Sequence, residues 1–137
     1  TTIAEVKQFP DITPSEMAPP AQRPVVLVVD DENGPRTALR MLLSEDFEVL
    51  MARDVASAKV MLEEADIDLV ISDIRMPNES GVDLLRYVRF EHPDVEVILL
   101  TGYGHLGTAK EAGRLGAFAY MEKPFDNDDM MHLATKA

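Results

Sequence analysis

Residues 69–85 read LVISDIRMPNESGVDLL. An apolar run, Leu69-Val70-Ile71, passes through Ser72 into Asp73, a polar loop follows, and helical spacing resumes at Gly81. Consecutive rather than alternating apolar residues suit a strand covered on both faces, as in a parallel sheet. The question lies in Asp73, a carboxylate at the lip of that strand, just ahead of Arg75-Met76-Pro77. A turn-forming aspartate is the simplest account. The rest of the chain decides whether it suffices.

Working outward, the same texture recurs. VVLVV (25–29), FEVLMA (47–52), DLVIS (68–72), VEVILL (95–100) and AFAYM (117–121) are short β-rich runs. Helical spacing separates them. In GPRTALRMLLSED (34–46), Leu39, Leu42 and Leu43 share a face, and Pro35 suits a first turn. DVASAKVMLEEA (54–65) lines up Ala58, Met61, Leu62 and Ala65 behind Asp54, an expected N-cap. GVDLLRYVRFEH (81–92) turns Val82, Leu85 and Val88 or Arg89 inward and stops before Pro93. HLGTAKEAGRLGA (105–117) carries three glycines and predicts a marginal helix. DNDDMMHLATKA (126–137) opens on Asp126, a second N-cap. The order βαβαβαβαβα predicts an α/β fold, one doubly wound parallel sheet with helices on both faces.

Residues 1–24 differ. They hold five of the nine prolines and no sustained period, which reads as an extended arm or linker, with a short helix allowed over Thr2 to Lys7. Residues 25–137 form the folded domain. The 137 residues suit one domain, and 46% hydrophobic against 28% charged residues is a globular balance. A net charge of −12 argues against direct binding of nucleic acid or an anionic membrane. With no cysteine, disulfides and thiolate chemistry are excluded. No run approaches the roughly 18 apolar residues of a spanning helix, and no signal-peptide pattern opens the chain. A soluble, cytoplasmic protein is expected. Thr1 in place of Met reads as a processed or excised chain, and the short last helix leaves room for an output domain beyond Ala137.

Open α/β sheets bind ligands outside the carboxyl ends of their strands. The first strand delivers Asp30, Asp31 and Glu32 to that edge, the third Asp73, the fourth Thr101 and the fifth Lys123; the second delivers only Arg53 and Asp54. An oxygen-only carboxylate cluster suits a hard divalent cation, and a site that keeps some waters suits Mg²⁺. A carboxylate beside a lysine and a hydroxyl can hold phosphoryl oxygens, and an aspartate can itself be the nucleophile. Each element alone is ordinary. Four in order at four strand ends are not.

LVVDDE, DLVISDIRMPNESGVDLL, VILLTGYG and AYMEKPF resemble, in sequence and spacing, the motifs of the receiver domain of two-component response regulators, from Val25 to about Ala134. The resemblance implies a flavodoxin-like sheet with strand order 2-1-3-4-5. It implies that Asp73 accepts a phosphoryl group from the phosphohistidine of a sensor histidine kinase or phosphotransfer protein. Asp31, Asp73 and the backbone carbonyl of Arg75 would ligate Mg²⁺, with Asp30 acting mainly through water. Lys123 would pair with Asp73 and then with a phosphoryl oxygen. Thr101 would move toward the phosphoryl group and Tyr120 turn inward with it, switching the face made by the fourth strand, fourth helix and fifth strand. A homodimer through the fourth helix, fifth strand and last helix is compatible with this. The Lys123–Pro124 peptide is expected to be cis, and Arg75 and Tyr103 to flank the phosphoryl site.

Two other classes compete. A Mg²⁺-dependent phosphohydrolase usually needs a carboxylate two residues after its nucleophile; here that position is Arg75, and no residues are spare for a substrate cap. A pseudo-receiver, a binding module without the chemistry, predicts a missing aspartate or lysine, and none is missing. His92, His105 and His132 read as surface residues without partners, and the eight methionines, scattered through the expected cores, are given no ligand role. Met76-Pro77 and Gly81 read as shaping the loop, Gly81 by supplying positive φ.

Overall fold

The computed structural model describes residues 23–76, 78–102, 110, 113–123 and 125–137. Five strands, β1 (Val25–Val29), β2 (Glu48–Ala52), β3 (Leu69–Asp73), β4 (Glu96–Thr101) and β5 (Ala119–Glu122), form one parallel sheet in the order β2-β1-β3-β4-β5. This is the expected order. The register sets Val28 between Met51 and Ile71, and Asp73 beside Leu100, so the carboxyl ends of β1, β3 and β4 reach one edge together.

Side chains alternate across a strand, and here both faces are covered. Leu27, Val29, Val70, Val97 and Leu99 pack under α2 (Val55–Glu64) and α3 (Gly81–Glu91), against Ala58, Leu62, Leu85 and Val88. Val26, Val28, Ile71, Ile98 and Leu100 face the other way. They meet Leu39 and Leu43 of α1 (Asn33–Leu43) and Met130 and Ala134 of the C-terminal helix (Asn127–Lys136). The continuous apolar runs are therefore two alternating sets, each with its own helical layer.

Among the described residues three helices start on side-chain caps. Asp54 Oδ1 accepts from Ser57 N at 2.8 Å; Ser80 and Asp83 form a reciprocal capping box; Asp126 Oδ1 accepts from Asp128 N at 2.7 Å. Both expected caps, Asp54 and Asp126, are present. Helix α1 starts at Glu32 without any side-chain cap.

Four local expectations change. The fifth strand starts at Ala119, not Ala117, because Gly116 turns the chain at φ +91° and pairing with β4 begins only at the Phe118 N–H, 2.8 Å from Val97 O. Ala65 is exposed, since it ends α2 with an extended backbone that leaves the helical face. His92 is not without a partner: as the C-cap of α3 its ring returns over α2, and Nε2 lies 3.0 Å from Glu63 Oε2. Gly81 does not adopt positive φ; its requirement is steric, as the site geometry below makes plain. His132 is exposed. The expectations for the 105–117 helix as a whole, His105, Tyr103, Pro77 and the Lys123–Pro124 bond, and for most of the 1–24 arm, lie outside the described residues. Arg23 and Pro24 are described: Arg23 donates to Ser44 O at 3.0 Å, and Glu48 N donates to Pro24 O at 2.9 Å.

Candidate functional site

Where β1 ends, the chain leaves the sheet through Asp30. Its backbone N–H still reaches β2, donating to Ala52 O at 3.1 Å, so the aspartate sits at the last ladder position. Its side chain is turned inward and 1% exposed. Oδ1 accepts from Glu32 N at 2.9 Å and Oδ2 from Lys123 Nζ at 3.1 Å. Asp31, one residue on, is exposed at the mouth.

Asp73 is the last residue of β3 and 8% exposed. Its Oδ2 accepts from Lys123 Nζ at 3.2 Å, and Arg75 N approaches Oδ1 at 3.4 Å. The carbonyl side of Asp73 is equally fixed. Ser72 Oγ donates to Asp73 O at 2.9 Å, and Gly81 N closes the loop onto Ile74 O at 2.9 Å. A methyl at Gly81 would overlap the Asp73 carbonyl oxygen and lie 3.0 Å from Ile74 Cα. Glycine is required here because the start of α3 crosses the Asp73 backbone. The intervening turn uses Asn78 at φ 72°, a conformation asparagine tolerates better than most residues.

Lys123 follows β5 directly, and its N–H donates to Thr101 O at 2.6 Å, which ties the lysine to the end of β4. Thr101 is buried. Tyr120, on the edge strand, is half-buried and packs against the α2–α3 layer. Its hydroxyl is buried without a hydrogen-bond partner among the described residues.

The structure thus brings Asp30, Asp31, Asp73 and Lys123 together, with Thr101 tied to the lysine's backbone. One carboxylate oxygen from each of the three aspartates lies within 4.8 Å of the others. Oxygen-only donors at this spacing, with no nitrogen or sulfur among them, fit a hard divalent cation such as Mg²⁺. Lys123 serves two carboxylates at once. Burial opposes its charge, but the hydrogen bond and charge of Asp30, with Asp73 behind, outweigh this and hold the ammonium above its usual range. Asp73 is held above the usual carboxylate range, first by burial and then by Asp30, against the opposing pull of Lys123 and the Arg75 N–H. One cation cannot fully neutralise two buried acids, and Asp73 carries the excess.

Two further residues also serve the site: Glu32, which the sequence already places at this edge, and Arg36, which motif reading did not single out. Glu32 lends its N–H to Asp30. Arg36, in the first turns of α1, donates through Nη1 to Asp30 O at 2.8 Å and through Nη2 to Asn33 Oδ1 at 2.9 Å. The arginine's place on the site side of α1 was legible in principle from its position three residues after Asn33. Beside the acids, Pro35, Leu39, Leu100 and Phe125 line an apolar recess of about 390 Å³ with Asp30 and Lys123 at its rim. A larger recess, about 590 Å³, lies between residues 62–68 and 91–95 at the opposite edge of the sheet, and gathers none of the strand-end residues.

Comparison with known proteins agrees with this geometry. The family model described as response regulator receiver domain matches residues 26–135. Over 116 residues the chain is 36% identical to the response regulator protein PilR of Pseudomonas aeruginosa, covering 84% of this chain and 26% of PilR. The chain therefore spans about a quarter of that relative's length. The signal receiver domain of an HD domain-containing protein from Pseudomonas fluorescens Pf-5 superposes with a TM-score of 0.81 at 31% identity, covering 85% of this chain and 94% of that one. The beryllofluoride-activated NtrC4 receiver domain dimer is similar at a TM-score of 0.76 and 30% identity, covering 81% and 93%.

Proposed function

This chain belongs to the response regulator receiver domain family of two-component systems, and from that membership we propose that Asp73 is its phosphoacceptor. The observation that carries the proposal is the Lys123 ammonium 3.2 Å from Asp73, with Asp30 and Asp31 beside it. In the reaction, an Asp73 carboxylate oxygen attacks the phosphorus of a partner's phosphohistidine. The P–O bond forms as the P–N bond breaks, and the imidazole nitrogen keeps the electron pair and takes up a proton. Asp73 is rigidly held for this, because its strand, the Ser72 hydroxyl and the Gly81 crossing fix its backbone. Lys123 then pairs with a phosphoryl oxygen, and the Thr101 hydroxyl donates to another. A bound Mg²⁺ would be held by Asp31, Asp73 and the Arg75 carbonyl, with Asp30 acting through water, and would neutralise charge on the phosphoryl oxygens.

The readout follows from Thr101 and Tyr120. Phosphorylation adds charge and acceptor oxygens at the sheet edge. Thr101 moves to meet them and Tyr120 repacks, shifting the population of the face around β4 and β5. The family resemblance of these two positions and the buried Tyr120 hydroxyl, without a hydrogen-bond partner among the described residues, support this. A sensor histidine kinase or phosphotransfer protein is the donor. The likeness to the NtrC4 receiver domain dimer favours a homodimer, and the face of the fourth helix, fifth strand and last helix is the surface proposed for it. The family membership favours a cytoplasmic setting; among the described residues no helix is long and apolar enough to cross a membrane. Residues 1–24 act as an arm or linker beside the receiver of residues 25–137.

The test is incubation with acetyl phosphate and Mg²⁺. Wild type and Thr101→Ala become phosphorylated, but only wild type shows a coupled change in the β4–β5 face by NMR. Equal coupling in Thr101→Ala contradicts the relay.

A further inference from the structure

We propose that Arg36 is a positioning residue for the acidic loop, clamping the backbone turn that presents Asp31 to the divalent cation. The inference rests on the reading of this edge as a Mg²⁺ site. Asp30 is satisfied at every polar group: its N–H by Ala52 O, Oδ1 by Glu32 N, Oδ2 by Lys123 and its carbonyl by Arg36. Asp31 has the opposite character. It is exposed, and its placement depends on the backbone between Asp30 and Asn33. That backbone enters α1 without a side-chain cap, unlike the starts of α2, α3 and the C-terminal helix. Left to itself, an uncapped turn carrying consecutive acids beside a third carboxylate would open, because their charges repel and chain entropy favours it.

Arg36 counters both tendencies. Its two terminal nitrogens bridge Asp30 O at 2.8 Å and Asn33 Oδ1 at 2.9 Å, one acceptor on each side of Asp31 and Glu32. The planar guanidinium makes this a two-point brace, which the single ammonium of lysine cannot reproduce. Among the described residues the Arg36 guanidinium bonds to these two acceptors and to no carboxylate oxygen of Asp31 or Asp73. It acts by holding the turn that carries Asp31, as outer partners of metal ligands generally do.

The experiment compares wild type with Arg36→Ala, Arg36→Lys and the control Arg40→Ala, which removes the same charge one turn further along α1. Mg²⁺ affinity is measured by titration calorimetry, and Glu32 amide hydrogen exchange by NMR in metal-free protein. Arg36→Ala weakens Mg²⁺ binding about tenfold and accelerates Glu32 exchange, while the phosphorylation rate at saturating Mg²⁺ stays near wild type. Arg36→Lys falls between, and Arg40→Ala behaves as wild type. If Arg36→Ala does not fold, Arg36→Lys carries the test, and wild-type affinity and exchange in it overturn the proposal. Unchanged Mg²⁺ affinity in a folded Arg36→Ala, or equal weakening in Arg40→Ala, overturns it while leaving the metal site intact. Absence of Mg²⁺ binding in wild type overturns the metal reading and this proposal together.

Discussion

The Lys123 ammonium lies 3.2 Å from Asp73 Oδ2 although fifty positions separate the two in the chain. The same ammonium lies 3.1 Å from Asp30 Oδ2, so one cation is divided between two nearly buried acids. That imbalance is the energetic signature of the site, and most of the expected behaviour follows from it.

Asp73 is held above its usual carboxylate value of 3.8, first by burial. An acid raised on folding gives its full relative stabilisation below the unfolded value and loses it as pH rises through the folded one. At neutral pH the ionised Asp73 therefore costs stability. Asp73→Asn is expected to be more stable than wild type at pH 7 by about 1 kcal/mol, with the margin shrinking toward pH 4. Urea denaturation at the two pH values measures this; a constant margin would contradict it.

Lys123→Met leaves Asp30 and Asp73 facing each other without their cation. A loss of about 3 kcal/mol is expected at pH 7, the scale for breaking a buried pair. Asp73→Asn in the same chain should restore part of it, because one of the stranded charges is gone. A double-mutant cycle reads the coupling, and strict additivity would show that the two residues act independently.

Gly81→Ala forces a methyl against the Asp73 carbonyl, which is backbone and cannot turn aside. A loss of about 1–3 kcal/mol is expected, together with slower phosphorylation because the shift moves Asp73 itself. A variant that loses neither would mean that α3 can slide away freely.

The difference between what sequence revealed and what it hid has a common cause. Strands, the Asp54 and Asp126 caps and the strand-end acids depend on neighbours a few positions away, and their patterns are local. The steric need for Gly81, the Arg36 brace on a backbone carbonyl and the bond from His92 to Glu63, 29 positions earlier, depend on how finished elements approach one another. Composition and spacing carry no record of such approaches. The meeting of the strand ends at one edge was legible because parallel topology alone brings those ends together.

Away from the site, Tyr87 donates its hydroxyl to Glu63, which also meets His92, while Lys59 Nζ lies 5.1 Å from the centre of the Tyr87 ring. The Glu63 hydrogen bond pushes the Tyr87 phenol up to about 12. A phenol raised above its usual 10.0 contributes stability that is present below pH 10 and lost as pH rises through about 12. Spectrophotometric titration should show a late-ionising tyrosine that disappears in Tyr87→Phe. Phosphorylation should be unaffected, since this cluster joins α2 to α3 and not the acidic loop.

The most direct measurement locates the phosphoryl group. Wild-type protein is phosphorylated with acetyl phosphate and Mg²⁺, the acyl phosphate is reduced with borohydride, and the peptides are mapped by mass spectrometry. Homoserine at position 73, absent from Asp73→Asn and from samples treated with EDTA, is the expected result. Homoserine at any other aspartate in wild type, or undiminished labelling of Asp73→Asn, would contradict the assignment of Asp73 as the phosphoacceptor.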